Sequence, residues 1–220
     1  PAGFGLFDQT APAVRFDLNR SKQLNEFLNS PQCPSGTTVV CFGAGLKQLP
    51  QVLLVGKSLR IEFEQAGEGV SLELQPPPDS QAEAWFEVHE GELHLVNAPL
   101  SIPRTTRRQY PGTLLKLNGS SASLQRCRLT GSASATLVPL LLQSATDELC
   151  QLQIVDSQLT AAGPLLSLPV MGVSCEIINS LLATPATAVT LRESSAARTA
   201  TQLMLHQSTI QASESFAIAS

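Results

Sequence analysis

Arg104, Arg107, Arg108 and Tyr110 form the one local concentration of positive charge in this 220-residue chain. Guanidinium groups are planar forks that grip carboxylate or phosphate oxygens two at a time. The cluster is therefore the candidate binding site for uronic acids, phosphates or the acidic patch of a protein partner. Lys116, Arg126 and Arg128 follow in the next repeat and extend the patch if they share its face. Among carboxylates, Asp147, Glu148 and Asp156 come nearest to a cluster. Hydrolysis of a glycosidic bond needs two carboxyl groups flanking it, whereas Asp147 and Glu148 fall in a loop and Asp156 in a repeated corner position. His89, His94 and His206 share no repeat position. His94 and His206 read as surface side chains, and a general base would also need an orienting partner. No catalytic residue is assigned.

Cys33, Cys41, Cys127, Cys150 and Cys175 include no C-x-x-C pair and no His at ligand spacing, so no metal site is expected. They read as buried free thiols, with a Cys33–Cys41 disulfide open if the protein is exported. The chain has no P-loop and no G-x-S-x-G nucleophile turn, and no cofactor is implied. With 14 Lys plus Arg against 18 Asp plus Glu, the charge balance gives no drive toward nucleic acid. No apolar run approaches the roughly 20 residues of a membrane-spanning helix, so no membrane insertion is expected. The start at Pro1, without Met, reads as a processed chain or a piece of a longer one.

What positions these side chains is a repeat. An eight-residue pattern recurs five times: LHLVNAPL at 93–100, ASLQRCRL at 122–129, LQIVDSQL at 152–159, CEIINSLL at 175–182 and LMLHQSTI at 203–210. Its third and eighth positions are aliphatic in every copy and must be buried. The inward parity shifts to a small sixth position, which marks a corner. The fifth position, Asn97, Arg126, Asp156, Asn179 and Gln207, is polar throughout and includes the Asn and Asp that tolerate left-handed backbone. A shorter apolar run precedes each copy: WFEV at 85–88, LLKL at 114–117, LLLQ at 140–143, LLSL at 165–168 and AVTL at 188–191. Units of this kind cannot bury their apolar faces alone, so they must stack. The variable loops at 101–112, 130–139, 160–164 and 183–187 would project from one edge. Of Trp85 and Phe86, one is expected to face in and one out. An exposed Trp85 could stack on a sugar, but one isolated aromatic is weaker evidence than a row, and packing beneath the loop at 76–80 is the preferred reading.

Before the repeats, residues 17–28 place Leu18, Leu24, Phe27 and Leu28 near one helical face behind an Asp17 N-cap. The segments TTVVCF at 37–42, VLLV at 52–55, LRIEF at 59–63 and VSLEL at 70–74 read as strands. The chain therefore divides into a linker or extended segment over 1–16 and a single domain over 17–220. Within that domain lie a helical cap at 17–36, first coils at 37–80 and repeated coils at 81–220.

The order of a helix, GTTVVCFGAG at 36–45, GKSLRIEF at 56–63 and corners of the LQRCRLTG type resembles the pectin-lyase-like right-handed β-helix families over roughly residues 17–215. It is most similar to the non-enzymatic β-helix domains of large bacterial proteins of the planctomycete type, some of which also carry a protein kinase domain. The sequence departs from the common pattern in having CFGAG where a Pro-Gly-Tyr type of segment is often met. The resemblance implies an all-β fold, a right-handed parallel β-helix with an N-terminal capping helix. It also implies a noncatalytic binding or spacer module that meets carbohydrate or protein and adjoins other domains of the same polypeptide at either end. A polysaccharide lyase or glycoside hydrolase is the second reading, and a self-assembling structural solenoid the third. As to compartment, the resemblance favours the cell surface or extracytoplasmic space, whereas free cysteines favour a reducing one.

Overall fold

The computed structural model describes residues 12–64, 71–74, 84–101, 113–131, 138–143, 149–169, 172–192 and 200–219. Among them, nearly every alternating apolar segment is a short strand, and the strands stack in parallel into three sheets. Sheet 1 holds Ala13–Asp17, Thr37–Phe42, Ser58–Phe63, Glu92–Val96, Ser121–Gln125, Cys150–Val155, Val173–Ile178 and Gln202–His206. Sheet 2 holds Leu46–Leu49, Ser71–Leu74, Pro99–Ser101, Arg128–Thr130, Gln158–Thr160, Leu181–Ala183 and Thr209–Gln211. Sheet 3 holds Val52–Val55, Ala84–His89, Thr113–Asn118, Val138–Gln143, Leu166–Pro169, Thr187–Arg192 and Glu214–Ala219. From Thr37–Phe42 onward successive strands visit the three sheets in turn, so the architecture is that of a parallel β-solenoid. Each coil advances by the strand spacing, about 4.8 Å.

The third repeat position becomes a column through sheet 1 in strict register: Val14, Val39, Ile61, Leu95, Leu124, Ile154, Ile177 and Leu205. The eighth becomes a column through sheet 2: Leu72, Leu100, Leu129, Leu159, Leu182 and Ile210. Sheet 3 supplies the facing wall, with Val52, Phe86 and Leu115 in register. A register slip of one residue would turn a whole column outward, so alternation within each strand fixes how the coils stack.

Two corners interrupt the strands, and both rely on left-handed backbone. Between sheets 1 and 2 the fifth repeat position has positive φ in every copy: Asn97 56°, Arg126 53°, Asp156 49°, Asn179 46° and Gln207 50°. Between sheets 3 and 1 the same task falls to Gly56, Glu90, Gly119 and Gly172, with φ of 62°, 54°, 56° and 88°. Directly after Glu90, Gly91 packs so tightly that a β-carbon there would sit 2.2 Å from the Lys57 carbonyl oxygen.

The small sixth position has a chemical role at the first corner. There the amides leave the strand pairing and need other acceptors. Cys127 N–H donates to Ser157 Oγ at 3.0 Å, Ser157 N–H to Ser180 Oγ at 3.0 Å, and Ser180 N–H to Ser208 Oγ at 3.1 Å. The hydroxyls in turn donate to carbonyls of their own coil, Ser157 to Val155 O and Ser180 to Ile178 O, both at 2.7 Å. The four coils that carry Cys127, Ser157, Ser180 and Ser208 are thus tied each to the next by a hydroxyl as well as by their strands.

At the N-terminal end, a 3-10 helix at Leu18–Gln23 and an α-helix at Leu24–Asn29 bury Leu18, Leu24 and Leu28 against the first coil. Asp17 caps the first of them, its carboxylate accepting from Asn19 N–H at 2.9 Å. The α-helix also satisfies an edge strand. Asn25 Oδ1 accepts from Leu53 N–H and Asn29 Nδ2 donates to Leu53 O, both at 3.0 Å. Ala13–Asp17 pairs with Thr37–Phe42, so the sheet begins within the stretch that the sequence assigns to a linker or extended segment. In the last coil the inward columns are open: Leu205 is 41% exposed and Phe216 46%.

Two substitutions test this layering by urea denaturation. Ser157→Ala leaves the buried Cys127 amide without its acceptor and lowers the unfolding free energy by about 1–3 kcal/mol. Ile154→Ala opens a cavity and costs about 2–5 kcal/mol, whereas Leu205→Ala in the same column costs well under half as much because its side chain is already partly in water.

Candidate functional site

The corner between sheets 1 and 2 carries a polar groove of about 410 Å³ on the outside of the solenoid. Its geometry follows from the left-handed turn. The residue that turns the chain throws its side chain outward, and stacking repeats this at every coil. One wall is the row Arg126, Asp156, Asn179 and Gln207, and the other is Arg128, Gln158, Leu181 and Thr209 from the strands of sheet 2. Cys127, Ser157 and Ser180 form the floor and are themselves buried. On the sheet 1 side, half-buried Val155 and Ile178 stand next to each other in register and make an apolar shelf.

Within the groove, Asn179 Nδ2 donates to Asp156 Oδ1 at 2.7 Å, joining the second and third coils of the row. Arg126 and Arg128 are both exposed, and no ion pair among the described residues uses either guanidinium. Charge therefore changes along the groove, from two cations in one coil to a carboxylate bonded to an amide and then to neutral amide and hydroxyl groups. Beside the groove on sheet 1, Glu176 accepts from Gln153 Nε2 at 3.0 Å and lies 3.7 Å from His206 Nε2. A second groove of about 560 Å³ at the corner between sheets 3 and 1 is lined by Glu90, Glu92, Ser58 and Ser121.

The residues singled out by sequence are distributed as follows. Arg104, Arg107, Arg108 and Tyr110 lie outside the described residues, as do Asp147 and Glu148. Asp156, Arg126 and Arg128 meet in the corner groove. Lys116 does not join them, because it is buried in sheet 3. His94 corrects its reading as a surface side chain. It does point to the outer face of sheet 1, but it is buried between Arg60 and Ser123 in register and sits 3.1 Å from Glu92 Oε1. Trp85 and Phe86 stand on opposite faces of their strand, as alternation predicts: Phe86 fills the interior column, and Trp85 is packed rather than exposed. Leu114 in the next coil is buried on that same outer face, so alternation within the strand does not mark exposure there.

All five cysteines are free and buried, Cys33 and Cys41 included. Burial pushes the Cys41 and Cys175 thiols up to about 12, and Cys127 up to about 11 against hydrogen bonding that partly offsets it. The second corner and the hydroxyl chain are the features that sequence reading missed. The signal for the former was a glycine or Glu90 shortly before the strands Ser58–Phe63, Glu92–Val96, Ser121–Gln125 and Val173–Ile178, and for the latter the run of serines at the sixth position.

Compared with protein-family models and with curated proteins, the sequence matches none.

Buried, protonated thiols make a test of the core. In the folded protein Cys41, Cys127 and Cys175 stay unreactive toward a thiol reagent at pH 8 and react fully once the chain is unfolded in urea. Because their folded pKa values lie above the unfolded value of 9.0, the associated stability is complete below pH 9 and is lost as pH rises toward 12. Denaturation midpoints measured from pH 8 to pH 11 should fall accordingly.

Proposed function

We propose that the chain is a noncatalytic binding module, a right-handed parallel β-helix whose corner groove between sheets 1 and 2 holds a carbohydrate. The observation that carries this reading is the row Arg126, Asp156, Asn179 and Gln207, which offers a polar side chain at each successive coil. A ligand lying along the solenoid axis meets a new donor or acceptor about every 4.8 Å. Linked pyranose rings advance by a similar length, so each sugar faces one coil. An extended peptide advances about 3.3 Å per residue and would lose register with the row. Leu181 in the groove wall offers an apolar contact to a sugar ring, while the amides, hydroxyls and carboxylate suit its edge.

Binding suits this groove better than bond cleavage. Asp156 Oδ1 is held by Asn179, a partner that fixes the carboxylate as a hydrogen-bond acceptor. Glycoside hydrolysis needs a second carboxyl group across the bond, and the described groove residues offer Asp156 alone. The resemblance to noncatalytic β-helix domains of large bacterial proteins supports the same assignment, with other domains of the polypeptide at either end.

Isothermal titration with a panel of neutral linear tetrasaccharides tests the reading. At least one member should bind in the micromolar to millimolar range, and Asp156→Ala and Asn179→Ala should each weaken it by about tenfold, the loss expected for one charge-assisted hydrogen bond. Failure of the whole panel to bind, or unchanged affinity in both variants, would overturn it.

A further inference from the structure

We propose that Arg126 and Arg128 form an oxyanion clasp at one end of the corner groove, taking a sulfate ester or a carboxylate carried by the ligand. The inference deepens the carbohydrate reading above and rests on it for the identity of the ligand's backbone, though not for the anion site itself.

The first ground is backbone conformation. Arg126 turns the chain at φ 53°, in a column where the same task is done by Asn97, Asp156, Asn179 and Gln207. Short Asn and Asp side chains settle in left-handed backbone by bonding locally, whereas the longer arginine and the glutamine at the end of the row have no such compensation. Non-glycine residues in this region tend to mark functional positions, where an interaction of the side chain offsets the strain.

The second ground is placement. Between the two arginines, Cys127 is turned into the core, so Arg126 and Arg128 both stand outward in a single coil on opposite walls of the groove. No ion pair among the described residues occupies either guanidinium. The nearest acid along the row, Asp156, is bonded to Asn179 in the coil beyond it. Two forks facing one volume can grip an oxyanion from both sides.

Third, the groove is polar from end to end in the electrical sense. An anionic substituent is attracted to the arginine coil and repelled by Asp156 one coil further on. The clasp therefore sets the register of the ligand as well as its charge, with hydroxyl groups over Asp156 and Asn179 and the oxyanion over Arg126 and Arg128.

The test uses inorganic sulfate, acetate and three tetrasaccharides of one backbone, neutral, carboxylated and sulfated, titrated calorimetrically at low salt. The charged saccharides should bind about tenfold or more tighter than the neutral one, with the advantage shrinking as salt rises. Whichever of the two binds tighter identifies the substituent. Arg126→Asn should bring the charged ligands down to the affinity of the neutral one while raising the melting temperature by about 2–4 °C, because asparagine relieves the strained turn. Arg128→Gln, at an ordinary strand position, should reduce the preference without the rise in melting temperature. Equal binding of neutral and charged saccharides by the unaltered protein, or a full preference in both variants, would overturn the clasp and leave the carbohydrate reading standing. Binding of sulfate that Arg126→Asn abolishes, with no saccharide bound, would uphold the clasp and overturn the carbohydrate reading.

Discussion

The structure depends on one repeated constraint: the chain must leave sheet 1 and enter sheet 2 at the same point in each of the five repeated coils. A β-strand cannot bend that sharply without losing backbone pairing, and a buried amide without an acceptor costs on the order of 1–3 kcal/mol. Two devices at adjacent positions meet the constraint. Left-handed backbone at Asn97, Arg126, Asp156, Asn179 and Gln207 makes the turn. The next residue's amide is then accepted by the serine hydroxyl of the following coil, from Cys127 through Ser157 and Ser180 to Ser208. If the corner moved by one residue, the hydroxyls would miss the amides and the aliphatic columns on either side would lose parity together.

The same turn that closes the core builds the outer surface. Because the sixth position faces in, the fifth must face out, and stacking turns a local rule about φ into a continuous polar row. The groove is in this sense an unavoidable product of the fold, and what is particular to this chain is how the row is filled. Asn and Asp at such a turn satisfy the backbone first. Arg126 has the longest side chain of the row, and it sits beside a second exposed arginine. The backbone explains the polarity of the row but not the choice of its cation.

Much of this organisation is legible in the sequence, for a definable reason. Positions three, five, six and eight of the repeat face the same environment in every coil, so five copies reveal what one cannot. Leu95, Leu124, Ile154, Ile177 and Leu205 announce a column, and the polar fifth position announces the corner. The strand at Leu46–Leu49 was missed because it lies outside the five copies, as does Ala13–Asp17. His94 was misjudged for a different reason. Alternation tells which face of a strand a side chain occupies, but its exposure depends on what covers that face. His94 stands on the outer face of sheet 1 and is buried there. The meeting of Arg126, Arg128 and Asp156 was half legible: their positions in the repeat give the corner, but the pairing of a fifth position with a seventh across a groove needs the geometry of the turn.

The division between constrained and free positions also explains how such a stack can acquire specificity without disturbing its core. A solenoid couples each coil mainly to its neighbours, so a change at one coil's outer corner is felt by at most two others. The inward positions tolerate little: Ile154 and Ile177 touch in register, and a void at one is a void for both. The fifth and seventh positions bear only two requirements, a tolerable φ at the former and a strand conformation at the latter. A ligand that lies along the axis reads those two positions coil by coil, and its preferences can be set one coil at a time. The charge step from Arg126 to Asp156, across a single strand spacing, is such a setting. It could not be placed on the inward columns, where either charge would have to be buried without a partner.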